Sequence, residues 1–170
     1  TKQEVRALSL AALAPAPGQL LWDVGAGSGS VAIEWCRVGT GCGAVAFERD
    51  PQRRARIADN ARTFGVVLDV RSGAPESFAS APAPAAIFVG GGVTNPGLLQ
   101  ACWERLPAGG RLVANVVTAE SEAVLVQWYS QHGGELAKFQ HYRGEPVGAF
   151  TGWRPAMPVT QWSVTKPDTT

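Results

Sequence analysis

The chain has 170 residues, of which 45% are hydrophobic, so it is of single-domain size, large enough to bury a core and too apolar for a disordered segment. Fifteen Lys and Arg against fourteen Asp and Glu leave a net charge of +1, which argues against a dedicated nucleic-acid binder. No apolar run approaches the roughly 20 residues of a membrane span, and nothing reads as a signal peptide.

Residues 1–14 place Val5, Leu8 and Leu13 among alanines, an amphipathic helix in which Thr1 and Glu4 have capping-box spacing. Pro15-Ala16-Pro17-Gly18 stops it. Leu20 to Val24 then reads as a buried strand, followed at once by Gly25, Gly27 and Gly29 and by a helical stretch from Val31 to about Val38. Strand, glycine turn and helix make a nucleotide-binding βα unit. The glycines let backbone lie against a ligand with no Cβ in the way, and the free N–H groups of the helix start favour a carboxylate or phosphate. A dinucleotide fingerprint wants its third glycine at the sixth position, where this chain has Ser30, and an acid, Asp23, stands two before the first glycine. The plainer alternative is a strand end and a turn.

Ala44 to Phe47 is the second strand and ends on Glu48, 25 positions after Asp23. A carboxylate there accepts both hydroxyls of an adenosyl ribose, or is a solvated acid at a loop start. Arg49-Asp50-Pro51 opens a helix over 52–64 with Pro in its first turn, its charges forming a solvated face. Val66 to Val70 is the third strand, and Gly73 and Ala74 in the loop after it permit close approach. Ala85 to Val89 is the fourth strand; Gly90-Gly91-Gly92 after it leaves room for a bulky ligand, or is a flexible loop. A helix begins at Asn95-Pro96, a fifth strand spans 111–117, and Thr118 caps a helix to Gln131. Glu135 to Tyr142 is a sixth strand. Residues 143–158, with three prolines, three glycines and no clear period, read as a long functional loop, and 159–166 alternate as a last strand. Cys36, Cys42 and Cys102 lack zinc-type spacing with histidine, so no metal is expected; they read as reduced thiols of a cytoplasmic protein.

The pattern acid-x-Gly-x-Gly-x-Gly at Asp23 to Gly29 resembles motif I of the class I S-adenosylmethionine-dependent methyltransferases. That resemblance implies an α/β, Rossmann-like fold: a seven-stranded, mostly parallel sheet with helices on both faces and an antiparallel last strand. Thr1-Lys2-Gln3-Glu4-Val5-Arg6, Gly73-Ala74-Pro75-Glu76, Val89 to Gly92, Phe150 to Pro155 and Pro158 to Trp162 narrow it. With motif I they resemble the precorrin methyltransferases of cobalamin biosynthesis, over nearly the whole chain, and within them the decarboxylating C15-methylating domains. The resemblance implies S-adenosyl-L-methionine as cofactor and S-adenosyl-L-homocysteine as product. The substrate would be a precorrin tetrapyrrole, methylated at C15 with loss of CO2 from the C12 acetate. Residues 1–170 would be one domain, the C-terminal half of a longer bifunctional protein whose N-terminal half methylates C5; it would work as a homo-oligomer, such as a tetramer, with no nucleic acid or membrane partner.

Carried over by position, Thr1, Asp23, Gly25, Ala26, Gly27, Ser28 and Gly29 lie beside the cofactor, Glu48 and Arg49 at the ribose, and Gly73 and Ala74 near the adenine. The family often has Asp at Glu48, which keeps the chemistry, and an acid at Gly73, whose loss removes an adenine-side hydrogen bond. Gly90 and Gly91 fall to the substrate, and so, for its many carboxylates, do Arg143 and Arg154. His141 and Glu76 are candidate proton handlers, and no catalytic acid or base is assigned. Three alternatives are weighed: an RNA methyltransferase, against which stands Gly90 to Val93 in place of an Asn-Pro-Pro-Tyr type motif; a non-catalytic S-adenosylmethionine-binding module; and a nicotinamide dehydrogenase, disfavoured by Ser30 and Asp23.

Overall fold

The computed structural model describes residues 2–168; Thr1, expected both as a helix cap and beside the cofactor, lies outside them. Nine strands form: β1 (Leu20–Val24), β2 (Gly43–Phe47), β3 (Asp69–Arg71), β4 (Ala86–Val89), β5 (Arg111–Val116), β6 (Glu135–Phe139), β7 (Tyr142–Val147), β8 (Phe150–Pro155) and β9 (Val159–Thr165). Helices are α1 (Gln3–Leu13), α2 (Ser30–Val38), α3 (Pro51–Thr63), α4 (Leu98–Arg105) and α5 (Ala119–His132). β1, β2 and β4 are short apolar runs buried almost end to end, as central strands of a sheet covered on both faces must be.

Seven strands make one sheet in the order β3-β2-β1-β4-β5-β9-β6. β1 to β5 run parallel, and β9 lies antiparallel between β5 and β6. Alternate residues feed two cores. Trp22, Val24, Ile87, Val89 and Leu112 pack with Leu98 and Cys102 of α4 and Leu125 of α5. Leu21, Ala86, Phe88 and Val113 pack with Leu13 of α1 and with Val31 and Trp35 of α2. The strand order reverses between β1 and β4, and their carboxyl ends open the crevice where such sheets bind ligands.

Four sequence expectations need correction. Residues 143–158 are not a loop: β7 and β8 pair from Tyr142↔Pro155 to Val147↔Phe150 around Gly148-Ala149, with Gly148 at φ +60. Most residues of both strands are exposed, so no alternation of burial is written into the sequence, and a two-stranded ribbon has outer edges that tolerate Pro146 and Pro155. The sixth strand stops at Phe139, and β3 begins only at Asp69. α1 starts at Gln3 with Lys2 in the cap position and no side-chain cap, and Glu4 is drawn instead to Arg143. Thr118 does cap α5, its hydroxyl accepting from the Ser121 N–H at 3.3 Å. Asp50, not singled out from sequence, caps α3 by accepting from the Gln52 and Arg53 N–H groups. Among the described residues no helix is long and apolar enough to cross a membrane. All three cysteines are free, and burial pushes the Cys102 thiol up to about 12.

Candidate functional site

Two spaces open at the reversal point, on either side of Gly90-Gly91-Gly92. The larger, about 960 Å³, is walled by the loops that follow β1, β2 and β3. Asp23, Gly25, Ala26, Gly27 and Ser28 form its floor, Glu48 and Arg49 one wall, and Gly73 and Ala74 the end. Gly29 is not in its lining: at φ +76 it starts α2, and a Cβ there would stand 2.8 Å from the Ile57 side chain of α3. Gly25, at φ +70, lies so close to the β4 loop that a Cβ would stand 2.9 Å from the Gly91 nitrogen and 3.1 Å from its Cα. Backbone therefore packs on backbone between the two strand ends, which only glycine permits.

Glu48 is 6% exposed and oriented by backbone: one carboxylate oxygen accepts from Gly27 N–H at 2.9 Å and the other from Asp50 N–H at 3.0 Å. Each oxygen keeps acceptor capacity for a hydroxyl in the cleft. Asp23 is 1% exposed. Its Oδ2 accepts from the Ala32 N–H in the first turn of α2 at 3.1 Å, while Oδ1 finds no hydrogen-bond partner among the described residues. Burial pushes its carboxyl up to about 7; the Ala32 N–H opposes this and the Glu48 charge adds to it. An orphaned, buried carboxylate oxygen at the cleft floor suits a cationic group, and the glycine cradle and the Glu48 acceptors suit an amino-acid–nucleoside conjugate. The donor set fits S-adenosylmethionine.

The second space, about 390 Å³, shares Phe88 and Gly90 to Gly92 with the cleft and is mainly apolar, walled by Val5, Val93, Val116, Val117, Met157 and Val159. Its few polar groups come from distant parts of the chain: Lys2, Asn115, Thr118, Ser121 and His141. Asn115 donates to the Ser9 hydroxyl at 2.7 Å and accepts from the Gln161 amide at 2.9 Å, so it is fixed in place. Sequence reasoning passed over Asn115, although a lone amide in the apolar run from Leu112 to Val117 was a usable signal, and passed over Lys2.

Arg143 and Arg154 line neither space. Arg154 pairs with Glu145 on the hairpin at 2.9 Å. Arg143 reaches across to α1 and pairs with Glu4 at 2.6 Å. Glu4 in turn lies 3.9 Å from His141 Nε2, which is buried and without a hydrogen bond among the described residues. A hydrogen bond at its own backbone N–H, together with Arg143 and His141, holds the Glu4 carboxyl below the usual range. Glu76 sits in a short 3₁₀ turn over 76–78, away from both linings.

A family model described as the precorrin methyltransferase domain matches residues 1–166. The chain is 66% identical over 166 residues to the precorrin-6Y C(5,15)-methyltransferase [decarboxylating] of Mycobacterium tuberculosis, covering 98% of this chain and 43% of that protein. It spans less than half the length of its curated relatives named precorrin-6Y C(5,15)-methyltransferase. The crystal structure of the C-terminal domain of precorrin-6Y C5,15-methyltransferase from Rhodobacter capsulatus superposes with a TM-score of 0.90 at 43% identity, covering 98% of this chain and 90% of that one. An S-adenosylmethionine-dependent O-methyltransferase of Thermotoga maritima, 17% identical with a TM-score of 0.77 over 100% of this chain and 67% of that one, shares the fold. On the class I S-adenosylmethionine-dependent methyltransferase fold, this chain belongs to the precorrin methyltransferase domain family.

Proposed function

We propose that the chain is the C-terminal half of a bifunctional precorrin methyltransferase, methylating C15 of a precorrin and releasing CO2 from its C12 acetate. The observation that carries the reading is the pairing of a cofactor-shaped cleft with an apolar cavity across one shared glycine wall, in a chain 66% identical to a named decarboxylating precorrin methyltransferase.

S-adenosylmethionine, when bound, supplies an electrophilic methyl group on a positively charged sulfur. Asp23 Oδ1 would meet the amino-acid ammonium, Gly25 to Ser28 would lie along that moiety, Glu48 would accept the ribose hydroxyls with Arg49 beside it, and Gly73 and Ala74 would leave space for the adenine. Gly90 and Gly91 keep side chains out of the path between the two spaces. An electron-rich ring carbon needs little activation, so the rate comes mainly from alignment of the reactants. A cavity of about 390 Å³ takes one edge of a macrocycle, with Lys2 as a cation for a peripheral carboxylate.

The hairpin supports a homo-oligomer. Phe150 is 81% and Trp153 74% exposed, and a two-stranded ribbon is marginal alone in water, so a second copy is the natural cover. The chain's share of its relatives' length supports a fused N-terminal domain that methylates C5, and the free thiols suit the cytoplasm.

The test is calorimetric titration with S-adenosylhomocysteine on the wild type and on Glu48→Ala. Affinity should fall about 10-fold or more in the variant, because hydrogen bonds to a charged group contribute about 1.5–3 kcal/mol. The wild type with precorrin-6Y should then form S-adenosylhomocysteine and CO2 one for one. Binding indifferent to Glu48 overturns the cofactor site. Methylation of RNA with none of precorrin overturns the substrate.

A further inference from the structure

The acceptor cavity holds an imidazole that nothing else in the fold explains. His141 follows the end of β6, its side chain 20% exposed, and lines a mainly apolar space. Its Nε2 is buried and makes no hydrogen bond among the described residues, yet a carboxylate oxygen of Glu4 stands 3.9 Å away. Glu4 is held from its other side by Arg143 at 2.6 Å. The three residues form a row from the exposed hairpin to the cavity wall: guanidinium, carboxylate, imidazole. A carboxylate behind an imidazole is the usual arrangement of an acid–base group with its orienter. A ring anchored only structurally would have its buried nitrogen hydrogen-bonded.

The reaction proposed above has a need that this row meets. When an acetate side chain loses CO2, its C–C bond breaks and the electron pair passes into the conjugated ring. The former acetate carbon then forms a C–H bond with a proton and becomes a methyl group. The balance is R–CH2–COO⁻ plus H⁺ gives R–CH3 plus CO2, so one proton must be delivered inside a water-poor space. Resting on that reading of the reaction, we infer that His141 is the proton donor of the decarboxylation, with Nδ1–H toward the cavity, Nε2 toward Glu4, and Glu4 and Arg143 as positioning residues. After giving its proton the ring is neutral, and solvent restores the proton as product leaves. The apolar walls assist by desolvating the departing carboxylate.

The chain contains two histidines, which makes the test clean. The other, His132, stacks on Trp128 at 4.8 Å and lies tilted against Trp103 at 4.4 Å, outside the cavity lining, and serves as an internal control. With the histidines ¹⁵N-labelled, precorrin-6Y added without cofactor should shift the His141 ring signals and leave those of His132 in place. In the complete reaction His141→Ala and His141→Gln should release CO2 at least about 100-fold more slowly, the scale of lost acid catalysis. Their affinity for S-adenosylhomocysteine should stay at the wild-type value, which also shows that they are folded. Glu4→Gln should lower kcat with little change in KM, and Glu4→Asp should restore most of it. His141 signals that ignore the substrate, or variants that release CO2 at the wild-type rate, overturn the inference. A wild type that binds S-adenosylhomocysteine but forms no product from precorrin overturns the functional reading beneath it, a distinguishable result.

Discussion

The cofactor cleft and the acceptor cavity lie side by side, yet they are built in opposite ways. The cleft comes mainly from three consecutive strand ends, at residues 23–31, 47–53 and 73–74, and its key carboxylates are oriented by backbone N–H groups: Gly27 and Asp50 on Glu48, Ala32 on Asp23. The cavity draws on α1, the β4 and β5 ends, the start of α5, His141 and the segment before β9. Its central amide, Asn115, is held by side chains far apart in sequence, Ser9 and Gln161. On the proposed function, backbone holds the cofactor, and side chains, which change without refolding the sheet, hold the substrate.

The two regions meet where Gly25 lies on Gly91, and a single methyl group there should damage both. In Gly25→Ala the Cβ stands 2.9 Å from the Gly91 nitrogen, and φ +70 costs a non-glycine residue about 1–2 kcal/mol. Affinity for S-adenosylhomocysteine should fall at least about 100-fold with a clear drop in melting temperature, read by calorimetry and a thermal scan. Unchanged affinity would mean that the loops do not abut as described.

That difference in construction also sets what the sequence discloses. The cleft is legible because its residues are local: Asp23 with alternating glycines, and Glu48 one strand later, follow from the need to turn a strand end against a ligand. The sheet was legible for the same reason, since β2 and β4 are apolar throughout and β1 is apolar but for Asp23. The hairpin was not, because β7 and β8 are exposed on both sides and their residues carry no period. With the hairpin unseen, Arg143 and Arg154 looked like free cations beside a loop. Side-chain pairing 139 positions apart, which turns Arg143 toward Glu4, has no local signature.

Within the cleft, Asp23 gives cofactor binding its own pH signature. An unfolded Asp loses its proton near 3.8, whereas the buried one holds it to about 7. The folded state therefore binds more protons between those values, so the ligand-free protein should lose stability as pH rises through that window. A cationic ligand favours the ionised form. Affinity for S-adenosylhomocysteine should accordingly rise from pH 6 to pH 8 with release of a proton, measurable by calorimetry in buffers of different ionisation enthalpy. Asp23→Asn should abolish the release and bind about 10-fold more weakly at pH 8, with little difference at pH 5.5. A flat profile in the wild type would place the ligand's ammonium elsewhere.

The smallest effect should come from Arg154, which the sequence assigns with Arg143 to the substrate's carboxylates. Arg143 and Arg154 face each other across the β7–β8 ladder, two like charges in register. Each is neutralised by a different carboxylate: Arg154 by Glu145 of its own hairpin, with side chains 73% and 47% exposed, and Arg143 by Glu4 of α1. An exposed ion pair within one ribbon contributes little to stability and is screened by salt. Arg154→Ala should therefore change cofactor affinity, KM for the precorrin and melting temperature by less than about twofold or a degree or two. Arg143→Ala releases Glu4 from behind His141, so kcat should fall several-fold while cofactor affinity holds. Steady-state kinetics on the two variants, run in parallel, separates a cation that meets substrate from one that orders the cavity wall. Equal losses in both would put the hairpin's charges, and not the Glu4–His141 row, in contact with the substrate's carboxylates.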